Sequence, residues 1–323
     1  MKRRSFLGVV LGGAGQTLAA QFGWASLPGL GRPAVRSVDG EQLVERWSWA
    51  MGQAVHFRIF ARDEATGLEA ASLALAELRR VEAALSLFDP ASDLVALNER
   101  AGIGRVRVGA DLLEVLALTA SFRRLTRGAF NPAVEPLMRA WGFHAARAEA
   151  PLPAELEAAR RAVAGARIRL GSGSVALLSR DARLDLGGIG VGYGLDRAAR
   201  VLSQAGIRRA LLEVSGDFLA LGSPPGQAGW KIAVTSPVEG EGPLGVVRLQ
   251  EAALATSANT RSVVHYGALV AGHVLDPATG WPATAFTQVS VVARTAVEAD
   301  ALSTAMLVSG RRVPEVQEVI AAP

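Results

Sequence analysis

Within eight positions the chain sets an imidazole (His273), a carboxylate (Asp276) and a turn-forming Pro277/Gly280 pair; further on, Asp300 and Thr304 stand one helical turn apart on one face. Oxygen donors of these types suit a hard cation, and a histidine near its ordinary pKa suits proton transfer. Each piece also has a plain reading: Asp300 as a helix cap, Thr304 bonded back to its own backbone, a lone histidine as structural.

A second cluster, Leu186-Gly-Gly-Ile-Gly190-Val191-Gly-Tyr-Gly194, lets backbone approach an anion closely ahead of a helix expected from Asp196, whose N-terminal amides attract phosphate. Its bland reading is a tight strand-to-helix connection with glycines for packing. It contains no G-x-G-x-x-G in any frame, and with Lys2 and Lys231 as the only lysines there is no Walker motif. No serine has a glycine two residues away on both sides, and His56, His144, His265 and His273 show no H-E-x-x-H spacing, so hydrolase-elbow and zinc-protease chemistry are unsupported.

These residues need a scaffold, and 323 residues, half of them hydrophobic, can bury one large core or two ordinary ones. The net charge of +4 is carried almost wholly by dispersed arginines, which predicts no nucleic-acid surface. With no cysteine, disulfides, thiolate metal sites and cysteine nucleophiles are excluded.

At the amino terminus, Arg3-Arg4 directly before Phe6-Leu7 and an uncharged Gly/Ala-rich stretch resemble a twin-arginine signal over residues 1–30, with cleavage between about Ala20 and Ser26. This predicts export, already folded, to a periplasmic or other extracytoplasmic space. The alternatives are an ordinary secretory signal or an uncleaved anchor, although the glycines, Gln16 and Thr17 make a poor membrane span.

A Pro/Gly-rich linker is expected over 31–44, followed by one domain over 45–323. Periodicity predicts two strands around Met51-Gly52 within 45–61 and helices over 68–87, from Asp111 as N-cap to Gly128, within 153–163, over 196–204 and over 299–308. Residues 176–186 read as a hairpin arm and 210–221 as a buried strand followed by a turn. Strands are expected at 230–234, 245–249 and 287–292, with a terminal strand short or missing. Mixed elements without a βαβ beat favour an α+β fold.

Five segments in order resemble the ApbE family of FAD:protein FMN transferases. They are Ser86-Leu-Phe88-Asp-Pro-Ala-Ser92 to Leu97-Asn98; Gly128-Ala-Phe-Asn131-Pro132 to Trp141-Gly-Phe143; Asp185 to Asp196; Ala255-Thr256-Ser257; and His273 to Thr304. The match spans roughly residues 45 to 310.

The resemblance implies a single ApbE-like α+β domain that binds FAD as substrate together with Mg²⁺. It implies transfer of FMN to a Thr or Ser of an acceptor flavoprotein with release of AMP, and membrane association only through that partner or an uncleaved signal. Asp300 and Thr304 then resemble the metal ligands, helped by a carbonyl near Gly190. His273 and Asp276 resemble the catalytic pair. Met51, Phe88, Asn131, Asp185, Gly188, Gly190, Val191, Asp217, Thr256 and Ser257 fall on positions expected to contact FAD.

Departures accompany the match: Phe88 where many members have Tyr, Val191 where many have Lys, and Asn131 and Ala133 where many have Asp and Thr. A lost charge-assisted bond near a diphosphate weakens it by about 1.5–3 kcal/mol. An FAD pyrophosphatase and a non-catalytic flavin-binding maturation factor therefore stand as alternatives.

Overall fold

The first strands follow the two-residue alternation of a sheet with both faces covered. Along Gln53–Ala61 the side chains of Val55, Phe57 and Ile59 are fully buried, while Ala54, His56 and Arg58 between them face the other way. The computed structural model describes residues 37–38, 40–260 and 262–323; the signal expected over 1–30 lies outside the described residues.

The elements run β1 (Ser37–Val38), β2 (Glu41–Ala50), β3 (Gln53–Ala61), α1 (Glu64–Leu85), α2 (Asp93–Glu99), β4 (Val106–Arg107) and α3 (Ala110–Leu125). A short 3₁₀ turn (Pro132–Val134) leads into α4 (Glu135–Ala140), α5 (Pro153–Gly165), β5 (Ile168–Gly171), β6 (Ser174–Leu177) and α6 (Gly190–Gln204). Then come β7 (Arg209–Val214), β8 (Asp217–Leu221), β9 (Trp230–Val234), β10 (Gly245–Leu249), β11 (Ala252–Ala258), β12 (Val263–Tyr266) and β13 (Leu269–Gly272). The chain closes with β14 (Gln288–Ala293), α7 (Ala296–Ser309) and β15 (Glu318–Ala322).

Eight strands form one antiparallel sheet in the order β1-β2-β3-β7-β8-β11-β14-β15. One face carries α1, α6 and α7, packed through Ala71, Leu78, Ala198, Leu202 and Ala299 onto Phe57, Leu212 and Ala255. The β9–β10 hairpin covers the opposite face through Trp230, Ile232 and Leu249. The result is an α+β domain. Among the described residues no helix is long and apolar enough to cross a membrane.

Several boundaries depart from the sequence expectation. The sheet begins at Ser37, inside the expected linker. The helix expected from Asp111 starts at Ala110 behind Gly109; Asp111 lies within the first turn, its carboxylate taken by Arg80 and the Tyr193 hydroxyl. The expected 176–186 arm stops at Leu177. Its remainder is loop, fastened where the Asn98 amide donates to Leu184 O at 2.9 Å and accepts from Leu184 N at 2.8 Å.

The single strand expected over 210–221 is the hairpin β7–β8, turned at Ser215 and Gly216, both with positive φ. The terminal strand is present: β15 pairs with β14 from Glu318 to Ala322. The hairpin β12–β13 carried no signal in the sequence reading.

Candidate functional site

The largest difference from expectation builds the site. Helix α6 begins at Gly190, six residues before Asp196, so most of the glycine cluster is helical. Gly192 is required by close approach: a Cβ there would collide with the backbone of Ala296 and lie 2.8 Å from Asp300 Cβ. That approach lets the Gly192 amide donate to Asp300 Oδ2 at 2.9 Å. One turn on, Asp196 accepts from Ala296 N and Val297 N at 2.8 and 3.0 Å, closing the N-terminus of α7.

Asp300 is thus not the cap of α7. Thr295 caps it, accepting from Glu298 N at 3.3 Å, and Asp300 sits buried in the second turn. Thr304 does not bond back to its own backbone. Its hydroxyl lies 3.1 Å from Ser257 Oγ, which lies 2.8 Å from Ser303 Oγ, and it is Ser303 that donates to Asp300 O. A Cβ at Gly188 would stand 3.2 Å from Thr304 Oγ1, so the glycine turn borders the same hydroxyls.

The sheet supplies the other wall. On β8, Asp217 accepts from Thr256 N of β11 at 2.9 Å, and the Thr256 hydroxyl lies 2.8 Å from Ser290 Oγ. Burial pushes both carboxyls up, Asp300 to about 7, and the Asp300 charge raises Asp217 well above the usual carboxylate range. Among the described residues no cationic side chain acts on either, whereas nearby Asp196 adds to the repulsion at Asp300. Asp217, Thr256, Ser257, Asp300, Thr304, Gly188 and the start of α6 therefore converge.

Oxygen atoms dominate this cluster. Among the described residues no three His, Cys, Asp or Glu side chains are placed so that together they could hold a metal ion, so any ion here would be held by carboxylate, hydroxyl, carbonyl and water oxygens. That donor set fits a hard cation such as Mg²⁺, whose charge would offset that of the carboxylates. The α6 N-terminus offers less to an anion than expected, because the Gly190 and Gly192 amides are already given to Leu186 O and Asp300.

Met51 reaches the cluster from the β2–β3 turn, where Met51 and Gly52 both have positive φ as a two-residue hairpin requires. Its sulfur lies against Gly194 and its methyl near Gly190. Val191 packs into the core between sheet and helices rather than standing free.

A neighbouring group of residues gathers around Asp185. His144 Nε2 lies 3.1 Å from Asp185 Oδ2 and His144 Nδ1 lies 3.6 Å from Glu135 Oε1, while Asp185 Oδ1 accepts from Gly187 N at 2.7 Å. Asn131 caps the 3₁₀ turn by accepting from Ala133 N at 3.0 Å, and Asp185 N donates to Pro132 O. Phe88, 81% exposed, presents itself edge-on to His144 at 6.0 Å.

His273 stands edge-on to Phe143, with Nδ1 buried and unpartnered; burial lowers its pKa, opposed by a bond involving Ser262 and by the charge of Asp185. Asp276 goes elsewhere: its carboxylate accepts from Ala278 N at 2.8 Å and its carbonyl from Gly280 N at 2.7 Å, so it shapes the Pro277–Gly280 turn. None of these bonds reaches the Asp217–Asp300 cluster.

Sequence reading missed His144, Glu135 and Asn259. Asn259 holds the His273 loop through Val274 N at 2.7 Å and through the carbonyls of Val274 and Ala283 at 3.0 Å each. An Asn just past the Ala255-Thr-Ser257 strand, followed by no turn dipeptide, was its only signal.

Fold and site together define an α+β protein with an oxygen-lined, charge-unbalanced cluster where two helix starts meet a sheet. The family model "ApbE family" matches residues 51–321, and the chain belongs to that family. It is 29% identical over 298 residues to the FAD:protein FMN transferase of Treponema pallidum, covering 87% of this chain and 81% of that one. It is 31% identical over 230 residues to that of Rhodobacter capsulatus, covering 68% and 42%. The crystal structure of the ApbE protein of Thermotoga maritima superposes with a TM-score of 0.76 at 28% identity, covering 83% of this chain and 87% of that one.

Proposed function

We propose that this chain is a Mg²⁺-dependent FAD:protein FMN transferase. It attaches FMN through a phosphoester to a Thr or Ser of a flavoprotein outside the cytoplasm, reached by twin-arginine export. The observation that carries this reading is the Asp217–Asp300 pair, raised by burial and repulsion, ringed by hydroxyls and, among the described residues, without a cationic partner.

Asp300, the Thr304 hydroxyl and a carbonyl at the start of α6 would hold the ion. When bound, Mg²⁺ supplies charge neutralisation at the diphosphate of FAD. Gly188, Thr256 and Ser257 line the approach, and Met51 and Phe88 offer apolar and aromatic surface to the flavin or adenine ring. His273, kept neutral by burial, takes the proton of the acceptor hydroxyl as its oxygen bonds the FMN-side phosphorus and the bond to AMP breaks. Asp276 sets the turn that follows His273.

Incubating the purified chain with FAD, Mg²⁺ and a candidate acceptor, then measuring intact mass, should add one FMN to the acceptor and release AMP. If FMN and AMP appear equally fast without acceptor, the activity is hydrolysis; if neither appears with any acceptor, the reading fails.

A further inference from the structure

One buried charge cluster takes no part in the chemistry above. His144 is wedged between Glu135 of α4 and Asp185 of the loop before α6, with side-chain exposures of 13% for His144, 3% for Glu135 and 13% for Asp185. Nε2 stands at hydrogen-bond distance from Asp185, 3.1 Å, and Nδ1 at ion-pair distance from Glu135, 3.6 Å; two carboxylates on opposite sides of one ring favour the imidazolium, which carries a proton on each nitrogen. Arg139 binds the Glu135 oxygen from the solvent side at 2.5 Å, so Glu135 is oriented before His144 meets it.

The consequence lies one bond further on. With Oδ2 of Asp185 taken by His144, its Oδ1 receives the Gly187 amide, and Asp185 N is tied to Pro132 O. Gly187 opens the turn whose next residues are Gly188, beside Thr304 Oγ1, and Gly190, the first residue of α6. A continuous path of polar contacts thus runs from α4 through His144 and Asp185 to the backbone that borders the metal-ligating hydroxyl.

We propose that His144 is a positioning residue for flavin transfer: clamped by Glu135 and Asp185, it locks the Gly187–Gly190 turn against which the FAD diphosphate is aligned. The proposal rests on the flavin-transfer reading. His144 has no assigned contact with a reacting atom, since its two nitrogens face Asp185 and Glu135. A displacement of about 1 Å at such a turn is enough to cost roughly 100-fold in rate.

The charged groups around the ring agree on its state. Burial alone would lower its pKa, but hydrogen bonds and charges from Asp185 and Glu135 outweigh it and raise the value to about 9. Arg139 sits beyond Glu135, Phe88 is uncharged, and His273 is neutral. The clamp is therefore closed at neutral pH and opens as pH rises through about 9.

The test uses full-length chain carrying His144→Gln, which keeps shape and loses the charge, and Glu135→Gln, which weakens the clamp without touching Asp185. Thermal unfolding, FAD affinity by flavin fluorescence, and the pH profile of transfer are read on each. Expected are kcat losses of roughly 30- to 100-fold for His144→Gln and a smaller loss for Glu135→Gln. The wild-type fall in kcat above about pH 9 should be absent from His144→Gln.

Wild-type kcat and an unchanged alkaline limb in a folded His144→Gln protein overturn the proposal. Should wild type transfer no flavin at all, FAD binding still decides it: roughly tenfold weaker binding of FAD by His144→Gln supports the clamp, and equal binding overturns it.

Discussion

Helix α6 serves two buried carboxylate clusters that are built in opposite ways. On one side Tyr193 and Arg197 meet a balanced network. Arg80 binds both Glu77 and Asp111, Arg197 donates to Glu77 at 3.1 Å, and the Tyr193 hydroxyl lies 2.9 Å from Asp111 and 2.8 Å from Glu114. Arginine bonds hold Glu77 down at about 2, and Arg80 and Tyr193 outweigh burial to keep Asp111 low.

On the side facing α7, Gly192 and Asp196 meet Asp300, and there burial and like charge push the carboxyls up with no cation among the described residues to answer them. The contrast teaches that burial of acid groups does not mark a site. An unanswered charge does, because folding alone gains nothing from it.

The comparison breaks most sharply at Asp300. Asp300→Asn can still accept the Gly192 amide but removes the repulsion, so transfer should fall by at least roughly 100-fold while the metal-free protein becomes more stable. Thermal scans add a sign. The folded carboxyl, raised to about 7, holds a proton that the unfolded chain has released, so metal-free stability falls as pH rises from about 4 to 7. Mg²⁺ at pH 8 should raise the wild-type Tm and leave Asp300→Asn unmoved. An equal metal-induced shift in both proteins would remove Asp300 from the ligand set.

The balanced cluster should respond in reverse. Asp111→Ala leaves the partly exposed Arg80 and the Tyr193 hydroxyl without their shared acceptor and should cost about 2–3 kcal/mol in urea unfolding. Its pH dependence is also opposite: the depressed carboxyl contributes stability at neutral pH that is lost as pH falls below the ordinary carboxylate value. Transfer kinetics at neutral pH and low temperature should stay within about twofold of wild type, since coupling between separated sites is small. A rate loss as large as that of Asp300→Asn would show the two clusters to be one machine.

The two clusters were unequally legible. Strands such as Trp230–Val234, with burial alternating along the chain, followed from hydrophobic pattern, and Asp300 with Thr304 followed from residue type and helical spacing. The start of α6 did not, because glycines argue against a helix locally and only the close approach of Ala296 at Gly192 selects them. The coupling of Asp217 to Asp300 was hidden for a related reason: strand order β7-β8-β11-β14 brings them together, and sequence distance does not report strand order. His144 had no signal at all, since a lone histidine after Trp141-Gly-Phe143 looks structural until Glu135 and Asp185 close on it.

The smallest effect concerns Asp276, where type and position suggest catalysis and contacts indicate a turn. Its carboxylate accepts from Ala278 N at 2.8 Å, and the same turn is fastened where Trp141 Nε1 donates to Gly280 O at 2.7 Å. An asparagine accepts the Ala278 amide equally well, so Asp276→Asn should match wild type in Tm and kcat. Alanine removes one hydrogen bond, about 1 kcal/mol, and should lower the rate by no more than roughly fivefold through a looser His273 loop. If Asp276→Asn instead fell as far as Asp276→Ala, the carboxylate charge itself would be needed beside His273. The site would then extend from the unbalanced cluster onto the turn.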